Sequence, residues 1–184
     1  ARFKKNAGEF DKYEEFMDQY AKIVPYLIKA KEQYEARCAD MAREHKDTDY
    51  HMVIGAGMMW GEAYDYAMCI LEEMQWIKTE SILAAEYFHG TLELVEEDTS
   101  LILFYGEDET RPLMDRVMDF SKKVTKVINV FDTKEIELPF TDAEYRKIVS
   151  PMVMYAMTER LSCHLEKERN HPLTTRRYYR QMEY

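Results

Sequence analysis

From Phe10 to Tyr20, apolar side chains recur at Phe10, Tyr13, Phe16, Met17 and Tyr20, a spacing of three and four that lines one face of a helix. Pro25 interrupts the pattern. Because proline fits a first helical turn, a second helix is predicted from there to about Lys46, with Tyr26, Leu27, Ala30, Tyr34, Cys38 and Met41 along one side and charge on the other. The first strand candidate follows at Tyr50 to Ile54. After it come Gly55-Ala56-Gly57 and an amphipathic helix from about Met59 to Ile77. Strand, glycine turn and helix in succession open an α/β unit.

The alternation continues along the chain. Ile82 to Tyr87 is a short apolar run, and Leu101 to Tyr105 is a continuous one suited to a parallel strand buried on both faces. Lys126 to Phe131 reads as another buried strand and Ile136 to Leu138 as a short edge piece. Between them, a helix with Thr110 as N-cap and Pro112 near its start runs to about Val124. A long helix is predicted from Asp142 to about Lys167, kinked at Pro151, before an irregular tail from Asn170 to Tyr184. The expected fold is a three-layer αβα parallel sheet. Linking helices over residues 1–46 precede an α/β domain over 47–184. Ligands of such sheets sit beyond the carboxyl ends of the strands, which directs attention to residues 55–62, 85–93 and 106–112.

Composition narrows the picture. The 184 residues suit one domain, and 46% hydrophobic residues with only 6 Gly and 5 Pro exclude disorder and collagen-like or linker-rich chains. The net charge of −10 repels phosphate backbones and anionic lipid, so no bulk nucleic-acid or membrane binding is expected. No apolar run approaches the roughly 20 residues that span a bilayer, and ARFKKNAGEF lacks the apolar centre of a signal peptide, which predicts a cytoplasmic setting. Cys38, Cys69 and Cys163 are odd in number and lie in helical patterns, as expected of reduced thiols, and no metal motif is visible. A start at Ala1 rather than Met fits a processed chain or a piece of a longer one.

Four places could carry chemistry. Gly55 and Gly57 could bring backbone N–H groups to an anion. The third glycine of a dinucleotide fingerprint is replaced by Trp60, however, and small residues also serve close strand–helix packing. Glu73 stands beside Glu72, Met74 and Trp76; a carboxylate against such surfaces binds its proton more tightly, as a general acid or base requires, although helix glutamates are commonly solvated. Glu86 and His89, three apart beside Gly90, pair a carboxylate with an imidazole, or form a solvated Glu with a capping His. His45, His51, His164 and His171 have no such neighbours in the sequence. Arg176 and Arg177 make the tail basic, either to meet phosphate or carboxylate groups or to anchor the tail on acidic surface. The spaced methionines read as core or interface.

The segment ILEEMQWIKTESILAAEYFHG over residues 70–90, with Thr91-Leu92-Glu93-Leu94 after it, resembles the active-site region of sugar isomerase (SIS) domain proteins, a flavodoxin- or Rossmann-like fold. The tail HPLTTRRYY and terminal MEY are similar to those of the fructosamine-6-phosphate deglycases. The resemblance covers nearly the whole chain from Phe10 and corresponds to the second half of that family. It implies a substrate that is a sugar phosphate carrying an amino acid, with glucose 6-phosphate and the free amino acid as products. Glu73 and His89 match the family's acid/base pair and Glu86 a supporting glutamate, with no metal or organic cofactor. Ala85 and Thr91 depart from the usual glycine and proline. The resemblance implies a first SIS half, with a Ser/Thr-rich phosphate loop, that is expected to lie outside these residues.

Two other readings remain: a ketose/aldose or glucosamine-phosphate type isomerase, which the tail disfavours, and a sensing or structural SIS domain, which would not require Glu73 and His89 together. SIS domains build sites at domain or subunit interfaces, and a homodimer is expected. The catalytic reading predicts that Glu73 and His89, sixteen positions apart, meet across a shared cavity.

Overall fold

Strands β1 (Tyr50–Gly55), β2 (Lys78–Leu83), β3 (Ser100–Tyr105) and β4 (Ile128–Asp132) form one parallel sheet in the order β2-β1-β3-β4. The computed structural model describes residues 2–183. Central β3 is buried at every position, which is why its sequence, SLILFY, is apolar almost without a break. Side chains alternate across the sheet. Met52, Ile54, Leu101 and Leu103 face one side, and Val53, Ile102, Phe104 and Phe131 face the other.

The helices are α1 (Arg2–Asn6), α2 (Tyr13–Tyr20), α3 (Val24–His45), α4 (Met59–Asp65), α5 (Arg111–Ser121) and α6 (Ala143–Glu168). Met114 and Val117 of α5 cover the Met52 face. On the Val53 face, α3 lies along α6 and buries Ala30, Tyr34, Cys38 and Met41. Tyr34 stacks on Phe131 at 5.4 Å and its hydroxyl donates to Glu135 at 2.8 Å. Each such buried large side chain contributes roughly 1.5–3 kcal/mol, so α3 is part of the core layer. Through Phe16, α2 joins the same cluster, stacked on Phe140 at 5.8 Å.

The structure departs from the periodicity in four places. The strand expected at Ile82–Tyr87 forms earlier, over Lys78–Leu83. Among the described residues this strand pairs with β1 alone, and an edge position tolerates the polar run Lys-Thr-Glu-Ser, whereas Ala84 onward turns away. The helix expected to reach Ile77 gives way after α4 to a π-helix, Tyr66–Met74, and ends at Trp76, which adopts a left-handed φ of 56°. Ile136 and Leu138 are buried beneath the helices yet pair with no strand among the described residues. Thr110 precedes α5 as expected, but it is the Asp108 carboxylate that accepts the Thr110 N–H, at 2.9 Å. Inside α6, Pro151 removes the N–H that would reach the Lys147 carbonyl, and the Ser150 hydroxyl donates to that oxygen instead, at 2.9 Å.

Candidate active site

Glu73 lies near the end of the π-helix, where the chain must stop turning and enter β2. Gln75 is fully buried there, and the left-handed Trp76 still donates its N–H to the Glu72 carbonyl at 3.1 Å. The tail beyond α6 folds back onto this turn. Gln75 Nε2 donates to the His171 carbonyl at 2.8 Å, and the His171 ring meets Trp76 edge-on at 4.6 Å. Arg177 lies over the Trp76 ring, 4.1 Å from its centre. Arg176 Nε is 2.9 Å from Glu73 Oε1, while Arg176 Nη1 donates to the Leu173 and Thr175 carbonyls, each at 2.8 Å. The guanidinium is thus fixed by its own loop as it meets the carboxylate. Arg169 joins the Lys46 and Gln75 carbonyls below. Glu72, Glu73, Trp76, Lys78, Arg176 and Arg177 line a cavity of about 630 Å³ at this place.

Glu86 and His89 stand at the other end of β2. The chain leaves that strand through a tight turn, in which Glu86 N–H donates to the Leu83 carbonyl and His89 N–H to the Glu86 carbonyl, both at 2.8 Å. The side chains meet as the spacing predicts, His89 Nδ1 lying 3.0 Å from Glu86 Oε2. Both are well exposed, at 72% for His89 and 65% for Glu86. Tyr87 between them is buried under the sheet, and Phe88 packs on Phe120 with Arg116 over its ring. The pair is therefore anchored from below and open above.

Glu73 and His89 do not meet within the chain. The six residues of β2 rise at about 3.3 Å each, so the strand alone sets the two groups roughly 20 Å apart, at opposite ends of the sheet. No hydrogen bond joins them and no cavity among the described ones is lined by both. The physical reason is that the sixteen positions between them contain one passage across the sheet and no return.

At the glycine turn the anion is the protein's own. The Asp108 carboxylate accepts the Met58 N–H at 2.8 Å, and a Cβ on Gly57, whose φ is 51°, would lie 2.4 Å from Asp108 Oδ2. A Cβ on Gly55 would lie 2.5 Å from the Met59 carbonyl oxygen, so this glycine permits α4 to approach β1. Sequence reading missed Asp108, because its Met58 partner at the glycine turn lies fifty residues away.

The remaining histidines find partners that sequence spacing did not show. Buried His51 binds Ser100 Oγ through Nδ1 at 2.8 Å, beside His45, whose Nε2 meets Asn129 at 3.2 Å. Burial pushes His51 down to about 4, and it lowers His45 also. His164 pairs with Glu35 at 3.0 Å. All three cysteines are free, and burial pushes the Cys38 thiol up to about 12, leaving it unreactive. Among the described residues no cluster of three or more His, Cys, Asp or Glu could hold a metal, and no helix is long and apolar enough to cross a membrane.

No protein-family model matches the chain. The fold nevertheless has counterparts among solved structures. A Bacillus subtilis protein assigned as a phosphosugar isomerase superposes with a TM-score of 0.84 at 36% identity, over 87% of this chain and 49% of that one. A second, from Salmonella typhimurium LT2, does so with a TM-score of 0.89 at 30% identity, over 98% and 56%. The chain thus shares the fold of these two proteins over nearly its whole length. It is 35% identical to the fructosamine deglycase FrlB of Bacillus subtilis (strain 168) over 173 residues, 94% of this chain and 53% of the relative. Identity to the fructoselysine 6-phosphate deglycase of Escherichia coli (strain K12) is 26% over 174 residues, 94% and 48%. The chain is thus homologous to the fructosamine and fructoselysine 6-phosphate deglycases, and it spans about half the length of these curated relatives.

Proposed function

We propose that the chain supplies the proton-transfer groups of a fructosamine-6-phosphate deglycase, which converts a 6-phosphofructose-amino acid and water into glucose 6-phosphate and the free amino acid. The observation that carries this reading is the identity to FrlB over a stretch long enough to include both the Glu73 and the His89 motifs. In the open-chain ketosamine, Glu73 takes a proton from C1 and His89 protonates the oxygen on C2, giving an enaminol. Return of a proton to C2, as the nitrogen lone pair forms the C1–N double bond and the nitrogen then gives up its proton, leaves an imine with a hydroxyl on C2, which water hydrolyses to the C1 aldehyde and the free amine. Such general acid–base assistance contributes about 10²–10⁴-fold per group. Glu86 orients the imidazole through Nδ1 and leaves Nε2 toward the substrate.

Because β2 separates the two groups, the working site combines Glu73 of one chain with His89 of a second copy. The open surface around His89 leaves room for that approach. A two-fold dimer then holds two equivalent sites. The test mixes protein carrying Glu73→Gln with protein carrying His89→Ala and follows glucose 6-phosphate release. Each variant alone is expected to be inactive. In a random mixture half the dimers are mixed and each keeps one intact site, so about a quarter of wild-type activity returns. Full activity in either single variant removes the acid/base reading, and a mixture that stays inactive removes the shared site.

A further inference from the structure

The cavity beside Glu73 holds a guanidinium with no hydrogen-bond or ion-pair partner among the described residues. Arg177 makes no hydrogen bond or ion pair among the described residues; its contact is with the ring of Trp76. A guanidinium over an aromatic face gives that face to the π-system and keeps its in-plane N–H donors for a planar acceptor, which suits a carboxylate or a phosphate. Trp76 is itself fixed, since its left-handed backbone ends the π-helix and His171 braces its ring. The donors are therefore presented on a rigid base next to the Glu73 carboxylate.

The surrounding charges select between the two anions. Arg176 is neutralised by Glu73, and Glu72 accepts the Thr79 hydroxyl at 2.6 Å. Arg177 and Lys78 remain against the one charge of Glu72, a net of one positive charge in a cavity that contains two carboxylates. A dianionic phosphate would exceed that excess by one negative charge, whereas a single carboxylate balances it. Trp76, Tyr178 and Tyr179 add apolar wall for an alkyl stem, which a phosphate group lacks.

We propose that Arg177, seated over Trp76, binds the carboxylate of the amino acid carried by the substrate, so that this cavity is an amino-acid subsite next to the reacting carbons. The inference rests on the deglycase reading for the identity of the substrate. It assigns the tail, beyond its anchoring role, the selection of what is attached to the sugar. It also separates the two arginines: Arg176 positions Glu73, and Arg177 meets the ligand.

The test is a binding titration by calorimetry with compounds that cannot turn over. Reduction of fructoselysine 6-phosphate gives a glucitol-lysine 6-phosphate without a carbonyl. The same compound built on 1,5-diaminopentane lacks the carboxylate, and a third version lacks the phosphate. The wild-type protein is expected to bind the carboxylate compound ten- to a hundredfold more tightly than the diaminopentane one. In Arg177→Met, which keeps an apolar stem on Trp76, that ratio falls to about one, with affinity for the diaminopentane compound unchanged. Equal binding of both compounds by the wild-type protein overturns the subsite. A loss in Arg177→Met of the preference for phosphate, or an equal loss for all three compounds, overturns it as well. Turnover of fructoselysine 6-phosphate without a carboxylate effect removes the subsite and keeps the reaction. Carboxylate-dependent binding with no glucose 6-phosphate formed removes the reaction and keeps the subsite.

Discussion

The two ends of the sheet are built on opposite plans. At the carboxyl ends of β1 and β3, where parallel sheets usually receive ligands, the turn at Gly57 is filled by the Asp108 carboxylate and its N–H donor is already used. At the amino end of β2, the tail and the π-helix leave a cavity whose wall carries the unengaged donors of Arg177. One end is closed by an internal anion and the other is open to an external one. The general rule for such sheets therefore locates His89 but not Glu73, and a site built from both has to draw on two chains.

The largest effect expected from disturbing this contrast is catalytic. Glu73→Gln, at the open end, should lower turnover by about 10²–10⁴-fold with little change in thermal midpoint, since the side chain is partly exposed and its amide retains the shape. Activity assays beside thermal melts separate the two quantities.

Next comes the buried polar layer under the same end. The unfolded chain binds a proton on His51 near pH 6.5, whereas the folded chain holds off until about 4. Stability is therefore fully present above about 6.5 and is lost as pH falls toward 4, by roughly 3 kcal/mol for this group. In His51→Gln the pH dependence of urea unfolding between 6.5 and 4 should flatten, whatever the variant's absolute stability. An unchanged slope would assign acid sensitivity elsewhere.

At the closed end, Asp108→Ala strands the Met58 and Thr110 N–H groups and should cost about 2 kcal/mol in urea unfolding. Added phosphate should raise the midpoint of that variant and leave the wild type unmoved, because removing the internal anion reopens the turn. Equal responses would show that the turn has no room for an anion.

The smallest effect concerns Glu62, whose carboxyl is pushed up to about 7 by burial and by the nearby Asp65 charge but stays partly exposed, so that solvent screening reduces its weight in stability. A raised folded value means that its stabilisation is complete below the unfolded value and fades as pH rises through about 7. Glu62→Gln should raise the thermal midpoint at pH 8 and leave it unchanged near pH 4. The same gain at both would exclude titration as the cause.

The central fold was legible because it is written in residues that cannot be exposed. Apolar β1 and β3, and the long stripes of α3 and α6, appear where periodicity predicts them. The edge strand β2 was misplaced because a strand paired on one side needs little apolar content, and the π-helix carries no periodic signal that separates it from an α-helix. Within the site, the contact of Glu86 with His89 followed from a spacing of three on a tight turn. The pairing of Glu73 with Arg176 did not, since it depends on the tail returning across the whole domain, a tertiary event that local pattern does not encode.

The free flank of β2 has a consequence for how copies of this molecule can associate. Its unpaired N–H and C=O groups would be an open template for strand addition, but Lys78, Thr79, Glu80 and Ser81 give that border alternating charge and hydroxyls in place of β-branched hydrocarbon. Merging two sheets into one continuous ribbon would strip water from these groups. Copies can therefore dock through loops and helices while fibre-like growth along the border stays disfavoured, even at high concentration.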